Sequence, residues 1–367
     1  MWRPTHTLFR KVVLPSIKEN VKLGKIYFST KSRPKSATKL TLVSASIGVL
    51  IGAGYGGYTH YKVNSKKQTT SAENNAYAFL KELPIYKPHY KVSSDTYRHD
   101  VHIVLFQYRT CPFCCKVRAY LDARGISYEI VEVDAVLRQA IKWSEYKKVP
   151  IMLQLMDSTA IISVLETYFL DTSYTLPNVI KYYPAHTLVK DGKESIEFAN
   201  RYFVMSDAPV TSAKLQEEEK EWADNVLVHT LSPNVYRTAG EAIETFRWFE
   251  RAGGWRQAFP FWECALMVYG GAAAMWAISK RLKKRSSLYD AAREWMAAVD
   301  AKGTAFLGGD QPNLADITVY GVLSSIEGCQ AFDDLKNNTD VGKWYYNIKN
   351  AIGKNMGRVA SLHAAAN

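Results

Sequence analysis

Residues 101–118 read "VHIVLFQYRTCPFCCKVR", a short β-branched apolar run that leads straight into Cys-Pro-Phe-Cys. The run 101–108 has the length and composition of a buried strand. The stretch "CKVRAYLDARG" (115–125) places Val117, Tyr120 and Leu121 on one helical face and ends on Gly125, a helix-stop signal. Cys111 then falls at the junction of strand and helix, where unpaired amides and the helix dipole favour an anion. A thiol in such a place ionises below the free value of about 8.5. Arg109, Lys116 and Arg118 add positive potential, and Pro112 suits the first helical turn because it has no N–H to leave unsatisfied. Cys114 lies three residues on, on the same helical face, and is placed to resolve a mixed disulfide. A zinc site would need about four ligands, and no second cysteine pair or nearby histidine pair supplies them. Inert burial suits Cys115, Cys264 and Cys329, which have apolar neighbours. The spacing therefore assigns Cys111 as a redox or nucleophilic thiol and gives no metal ligands.

The segments that follow extend this pattern. "SYEIVEVD" (127–134) alternates like a strand, and "VLRQAIKWSEY" (136–146) reads as a helix. "KKVPIMLQL" (147–155) is a strand entered through Pro150, and "STAIISVLETYFL" (158–170) is a helix with Asp157 or Ser158 as N-cap. This order predicts a small mixed sheet with helices on both faces. The Val149-Pro150 step is of the kind that turns a chain in cis beside a thiol site, leaving the Val149 backbone to pair with a peptide ligand. Asp157 and Ser158 put a helix start and a hydroxyl where a ligand carboxylate can sit. Taken singly, an edge-strand proline and an N-cap are ordinary features. In this order after the thiol motif, Val149, Pro150, Asp157 and Ser158 read as a glutathione cradle. Only "IMLQLM" separates Pro150 from Asp157. Two strands and a turn need roughly ten residues, so a stunted last strand is expected.

Beyond residue 180 no strand pattern is evident, and helical periodicity runs to the end of the chain, which predicts a second, all-α domain over 181–367. "ALMVYGGAAAMWAI" (265–278) is apolar enough to raise a membrane span, but its 14 residues read better as a buried core helix. "PNLADITVYGVL" (312–323) contains a capping box, with Asn313 as N-cap and Asp316 at N3.

The charge of +12 is unevenly spread. Residues 1–39 carry +9 and the other 328 residues only +3, so the basic excess belongs to a leader and not to a nucleic-acid groove. That leader is hydroxyl-rich and nearly acid-free, like a mitochondrial transit peptide. "LTLVSASIGVLIGAGYGGY" (40–58) is uncharged and long enough for a single membrane anchor. Residues 59–100 form a polar stalk and an extended segment, and the first folded domain is expected over 101–180. Five cysteines, three of them clustered, argue for a reducing compartment with one local thiol site and against a disulfide framework.

The order strand–CPFC–helix–strand–helix–Val-Pro–strand–Asp-Ser–helix resembles glutaredoxins and the N-terminal domain of glutathione transferases, and the helical remainder resembles the transferase C-terminal domain. "LFQYRTCPFCCKVRAYLD", "YYPA", "WADNVLVHTLSPNVYRTAGEA" and "GAAAMWAISKRLKKR" resemble, more closely, the membrane-associated prostaglandin E synthases of type 2. That resemblance implies isomerisation of a lipid endoperoxide, prostaglandin H2, to prostaglandin E2. Cys111 would engage a peroxide oxygen, with Tyr108 as hydrogen-bonding partner, Phe113 lining the pocket and Cys114 beside the thiol. It also implies glutathione contacts at Val149, Pro150, Asp157 and Ser158, and haem held through bound glutathione beside Cys111. A homodimer and a Golgi membrane location or a clipped cytosolic form are implied as well, whereas the leader argues for mitochondria. Two other readings remain at this point. One is a membrane-anchored, glutathione-dependent thiol-disulfide oxidoreductase, and the other a haem- or glutathione-binding protein that does not turn over.

Overall fold

A computed structural model describes residues 84–361, apart from 96, 98–100, 145, 153–154, 172, 191–192, 206–216 and 283–286. The leader, the apolar stretch 40–58 and most of the segment 59–100 lie outside the described residues. The described residues form one compact unit.

The sheet is built around the thiol strand. β1 (Tyr90–Ser93), β2 (Val104–Gln107), β3 (Tyr128–Glu132) and β4 (Ile151–Met152) join a distant β7 (Arg358–Ser361) in the order β4-β2-β3-β1-β7. β2 and β3 are parallel, with Leu105 beside Ile130, and α1 (Pro112–Ala123) crosses between them. β4 and β1 are antiparallel to their neighbours. β2 and β3 lie at the centre, where Leu105, Phe106, Ile130 and Val131 are buried. β4 is two residues long, and the last strand, expected to be stunted, is reduced to a single bridge of Leu155 to Met152, with backbone hydrogen bonds of 3.0 and 2.7 Å, before α2 (Ser158–Leu170) begins.

Two sequence expectations fail here for identifiable reasons. Residues 136–146 form only a 3-10 turn, Gln139–Ile141. The Asp134 carboxylate accepts from the amides of Leu137, Arg138 and Gln139, and this side-chain bonding replaces the helical ladder. After α3 (Leu176–Ile180) the chain is not wholly helical, because β5 (Ala185–Lys190) and β6 (Lys193–Phe198) form an antiparallel hairpin. Asp191-Gly192, a two-residue hairpin signal, stands between them in the sequence.

The helical part contains α4 (Val228–Val235), α5 (Ala239–Gly253), α6 (Trp255–Ala258), α7 (Phe261–Ala265), α8 (Gly271–Leu282), α9 (Leu288–Lys302), α10 (Leu314–Ser324), α11 (Gln330–Asn338) and α12 (Val341–Gly353). The α10 start has the expected capping box. Asn313 accepts from Asp316 N, while the buried Asp316 carboxylate accepts from the amides of Asn313, Leu307 and Gly308 and from Trp344 Nε1. α10 packs on α1, which ties the helical part to the thiol helix.

The stretch expected as a buried core helix belongs to a continuous helical run, Phe261–Leu282, with most of its surface outside the core. Phe261 is 77% exposed, Trp262 57% and Tyr269 54%. Its side toward the core carries Cys264, Met267, Val268 and Ala272, and the opposite side is apolar as well. Apolarity all around a helix predicts burial, but among the described residues one side has no cover.

Candidate active site

β2 ends at Gln107, and a tight turn, closed by Cys111 N donating to Tyr108 O at 3.0 Å, brings Cys111 to the N-cap of α1. Pro112 occupies the first turn, and Cys115 N donates to Cys111 O at 2.8 Å as the helix begins. The Cys111 thiol is held below the ordinary thiol range. A hydrogen bond from Cys114 is the main cause, the backbone amides of Cys114 and Phe113 and the charge of Arg118 add to it, and burial opposes it. Cys114 is fully buried, and desolvation pushes its thiol well up. The pair is therefore asymmetric, with one sulfur poised as the anion and the other as its proton-bearing donor.

The surroundings of that pair are aromatic. Cys111, Tyr108, Trp143 and Tyr146 pack against a small cluster of Phe106, Cys114, Val149 and Ile151. The Trp143 ring meets Phe106 edge-on at 5.4 Å. Burial raises Tyr108, so its phenol keeps its proton. Burial also raises Tyr146 to about 12, with Asp157 and Cys111 contributing in that order. Phe113 projects outward at 36% exposure. The Val149-Pro150 bond is cis, and both residues are buried.

The cradle differs from expectation in one respect. Asp157 caps α2 by accepting from Thr159 N at 2.8 Å and Ala160 N at 3.0 Å, so the amides expected to hold a ligand carboxylate are already occupied. The other Asp157 oxygen accepts from Arg201 Nη1 at 3.2 Å, and Ser158 is buried behind it. What faces out is an ion pair, one group of each sign.

Lys116 adds nothing to the thiol, contrary to the sequence reading. It is fully buried, and its ammonium donates to Thr159 Oγ1 at 2.8 Å and to the Asp224 carboxylate. Arg118 is the cation that does reach the thiol turn. It donates to Gln107 Oε1 and Arg109 O, both at 2.6 Å, and to Cys115 Sγ at 3.1 Å. Gln107 in turn donates to the buried Glu132 at 2.7 Å. Sequence reading passed over Tyr146, Trp143 and Arg201. The first two stand as isolated aromatics in the polar stretch before Val149, which is the one local signal; Arg201 offers none.

A partly buried thiol at a strand-to-helix junction, a cis X-Pro step and a capped helix after it, all joined to a run of helices, define a glutaredoxin-like fold with a helical C-terminal part. Residues 103–152 match the Glutaredoxin family. The chain is 42% identical to prostaglandin E synthase 2 of Danio rerio over 324 residues, which is 82% of this chain and 80% of the relative. It is 40% identical to prostaglandin E synthase 2 of Mus musculus over 327 residues, 82% and 79% of the two chains. It therefore belongs to the prostaglandin E synthase 2 family. Among solved structures, an apo glutathione S-transferase III aligns at 15% identity and a TM-score of 0.41, covering 70% of this chain and 95% of that one. The glutathione transferase F7 of Populus trichocarpa aligns at 14% and 0.41, covering 69% and 97%.

Proposed function

We propose that this chain isomerises a lipid endoperoxide, prostaglandin H2, to prostaglandin E2, a glutathione-related isomerase activity centred on Cys111. The observation that carries the reading is the depressed Cys111 thiol set in an aromatic pocket beside a protonated Tyr108, in a chain whose relatives carry the name of that activity. In the proposed step the Cys111 thiolate removes the hydrogen from the ring carbon that bears one peroxide oxygen. The C–H electron pair becomes the second bond of a ketone as the O–O bond breaks. The other oxygen leaves as an alkoxide and takes a proton from Tyr108 or from the newly formed Cys111 thiol. One proton moves from carbon to oxygen, and there is no net redox change. The aromatic rings exclude water and accept the apolar body of the substrate, with Phe113 at the mouth.

Glutathione fits the same groove. The Asp157–Arg201 pair presents one carboxylate and one guanidinium, which complement the ammonium and carboxylate of a γ-glutamyl end. Val149, on the cis step, lies in the cluster with Cys111 and would offer its backbone to the peptide part. Haem, if bound, would be held through the glutathione thiolate beside Cys111, with the rings of Tyr108, Trp143 and Tyr146 packing against it. Bound there, it would supply thiolate-supported O–O bond activation.

The same geometry favours a second reading. Cys114 hydrogen-bonds Cys111 and is placed to resolve a mixed disulfide, as a membrane-tethered thiol-disulfide oxidoreductase requires. Incubating the full chain with prostaglandin H2, with and without glutathione and haem, separates the readings. Prostaglandin E2 formed by wild type and lost in Cys111→Ser supports the isomerase. Turnover of glutathionylated disulfides without prostaglandin E2 would shift the reading to the oxidoreductase. A Soret band with neither activity would leave a binding protein.

The exposed apolar face of Phe261–Leu282 supports a homodimer: large apolar side chains flank small ones at Gly270, Ala273, Ala274 and Ala277, so a second copy can approach closely. Sedimentation of the wild-type chain as a dimer, and of Trp276→Asp as a monomer, tests it. Residues 40–58 are proposed as the membrane anchor, in a mitochondrial or Golgi membrane, to be decided by imaging the full chain and a form lacking residues 1–39.

A further inference from the structure

A cavity of about 610 Å³ lies against the stripe of α1 that descends from Cys111 at helical spacing, through Cys115, Arg118, Ala119 and Asp122. Thr110 and Arg109 line its upper end. Across from α1, α5 contributes Trp248 and Ala252, and the end of α12 with the residues after it contributes Ile352, Lys354 and Met356. Tyr108, Trp143 and Tyr146, the rings around the Cys111 sulfur, are not among its walls, so it is a separate compartment of the fold. Its volume lies within the range of small-molecule sites.

The walls have a definite chemical character. Indole, phenol, alkyl and thioether side chains form the body of the cavity. The ionic residues are Arg109, Arg118, Lys349 and Lys354 against Asp122 and Glu327. Glu327 is engaged by Lys349. Asp122 accepts from Tyr128 Oη at 2.9 Å. Asp122 also interacts with Arg118 and Arg109, so four cations face two carboxylates in the lining, a surplus of two positive charges, and Lys354 is the cation no lining carboxylate meets. A mostly apolar space with surplus positive charge suits one anionic group attached to an apolar chain.

We infer that this cavity binds an amphipathic carboxylate, a fatty-acid-like molecule whose head group meets Arg109, Arg118 and Lys354 and whose chain lies along Trp248, Ile352 and Met356. The site bears on the thiol through Arg118, whose guanidinium holds the Arg109 carbonyl in the turn that carries Cys111. An occupant that draws on Arg118 therefore acts on that turn without touching the sulfur. The binding claim is independent of the isomerase reading, because it concerns a ligand that does not react.

Titration calorimetry of the full chain in detergent with arachidonate, below its critical micelle concentration, tests the inference. One molecule is expected to bind per chain, and Cys111→Ser is expected to bind it equally well. Arachidonate methyl ester should bind about tenfold more weakly, since it loses a charge-assisted contact. Lys354→Glu should weaken arachidonate by a similar factor, and Ala252→Trp, which fills the cavity, should abolish binding while near-ultraviolet circular dichroism stays native. Equal binding of acid and ester, or native-like binding by Ala252→Trp and Lys354→Glu, would overturn the proposal and place the ligand on the exposed Phe261–Leu282 face. A competition arm identifies the source of the carboxylate. Displacement by prostaglandin E2 marks the site as the resting place of the reacting lipid's own chain, and indifference to prostaglandin E2 marks a second, separate fatty acid.

Discussion

Gly321 on α10 lies directly against the backbone of Lys116 on α1: a methyl group at Gly321 would sit 2.6 Å from Lys116 Cα and 3.0 Å from the Cys115 carbonyl oxygen. The neighbouring atoms are main chain of a buried helix and cannot swing aside. Gly321→Ala is therefore expected to force the two helices apart and to destabilise the chain by about 2–3 kcal/mol, in line with overpacking of a dense core. Urea denaturation followed by circular dichroism measures the loss. Because α1 carries Cys111, the same variant should also slow alkylation at that thiol or make it heterogeneous.

Behind that contact, Lys116, Thr159 and Asp224 join α1, α2 and the π-helical segment Ala223–Leu227 that leads into α4 through one ammonium, one hydroxyl and one carboxylate. Lys116→Met should cost about 3 kcal/mol, because it strands a carboxylate in a largely buried place. The double substitution Lys116→Met/Asp224→Leu should recover most of that loss, since no uncompensated charge remains. Thermal unfolding of the wild type, both single variants and the double variant closes the cycle.

The asymmetry of the CPFC thiols gives a reactivity prediction. Iodoacetamide should modify Cys111 first, with an inflection in rate below the free-thiol value of about 8.5, because only the thiolate attacks. Cys114→Ala removes the main hydrogen bond that lowers Cys111, so its inflection should move to higher pH. Mass mapping of the alkylated peptide at several pH values reads both effects. An unchanged inflection in Cys114→Ala would assign the shift to the helix amides alone.

Asp122 gives a pH dependence whose sign can be worked out. Burial raises its carboxyl to about 6 from an ordinary 3.8. Between those values the folded chain keeps a proton that the unfolded chain has shed. Its contribution to stability is greatest below pH ~4 and declines as pH rises to about 6. Asp122→Asn retains an acceptor for Tyr128 and removes the ionisation. It should raise stability at pH 7 by about 1–2 kcal/mol, allowing for partial solvent screening, and leave it nearly unchanged at pH 4. Parallel urea titrations at the two pH values decide the matter.

What could be read from the sequence was local. Cys111 announces itself because strand, turn and helix adjoin in eight residues, and the capping box of Asn313 and Asp316 is complete within four. The Val-Pro step and the cramped "IMLQLM" turn were equally plain. Lys116 misled because a charge beside a thiol in sequence can point to the opposite side of a helix, here toward Asp224, 108 residues away. Arg201 reaches Asp157 across 44 residues, and no spacing rule encodes such a meeting. The 136–146 stretch looked helical because helix propensity ignores a competing carboxylate just upstream. The Phe261–Leu282 run reads as buried because apolar composition says that a surface must be covered but not what covers it.

The pairing of Tyr90–Ser93 with Arg358–Ser361 has a consequence for how the molecule is made. The two strands lie more than 260 residues apart, yet they are neighbours at one edge of the sheet that holds the thiol strand. During synthesis Tyr90–Ser93 emerges early and can pair with β3 at once, while its other edge waits for almost the whole chain to leave the ribosome. Through that interval the nascent chain carries an open strand edge beside a half-finished domain, a state prone to capture by other chains. Residues 358–361 act as a late clasp, and a chain stopped short of them would be expected to complete its thiol turn and still fail to close its sheet.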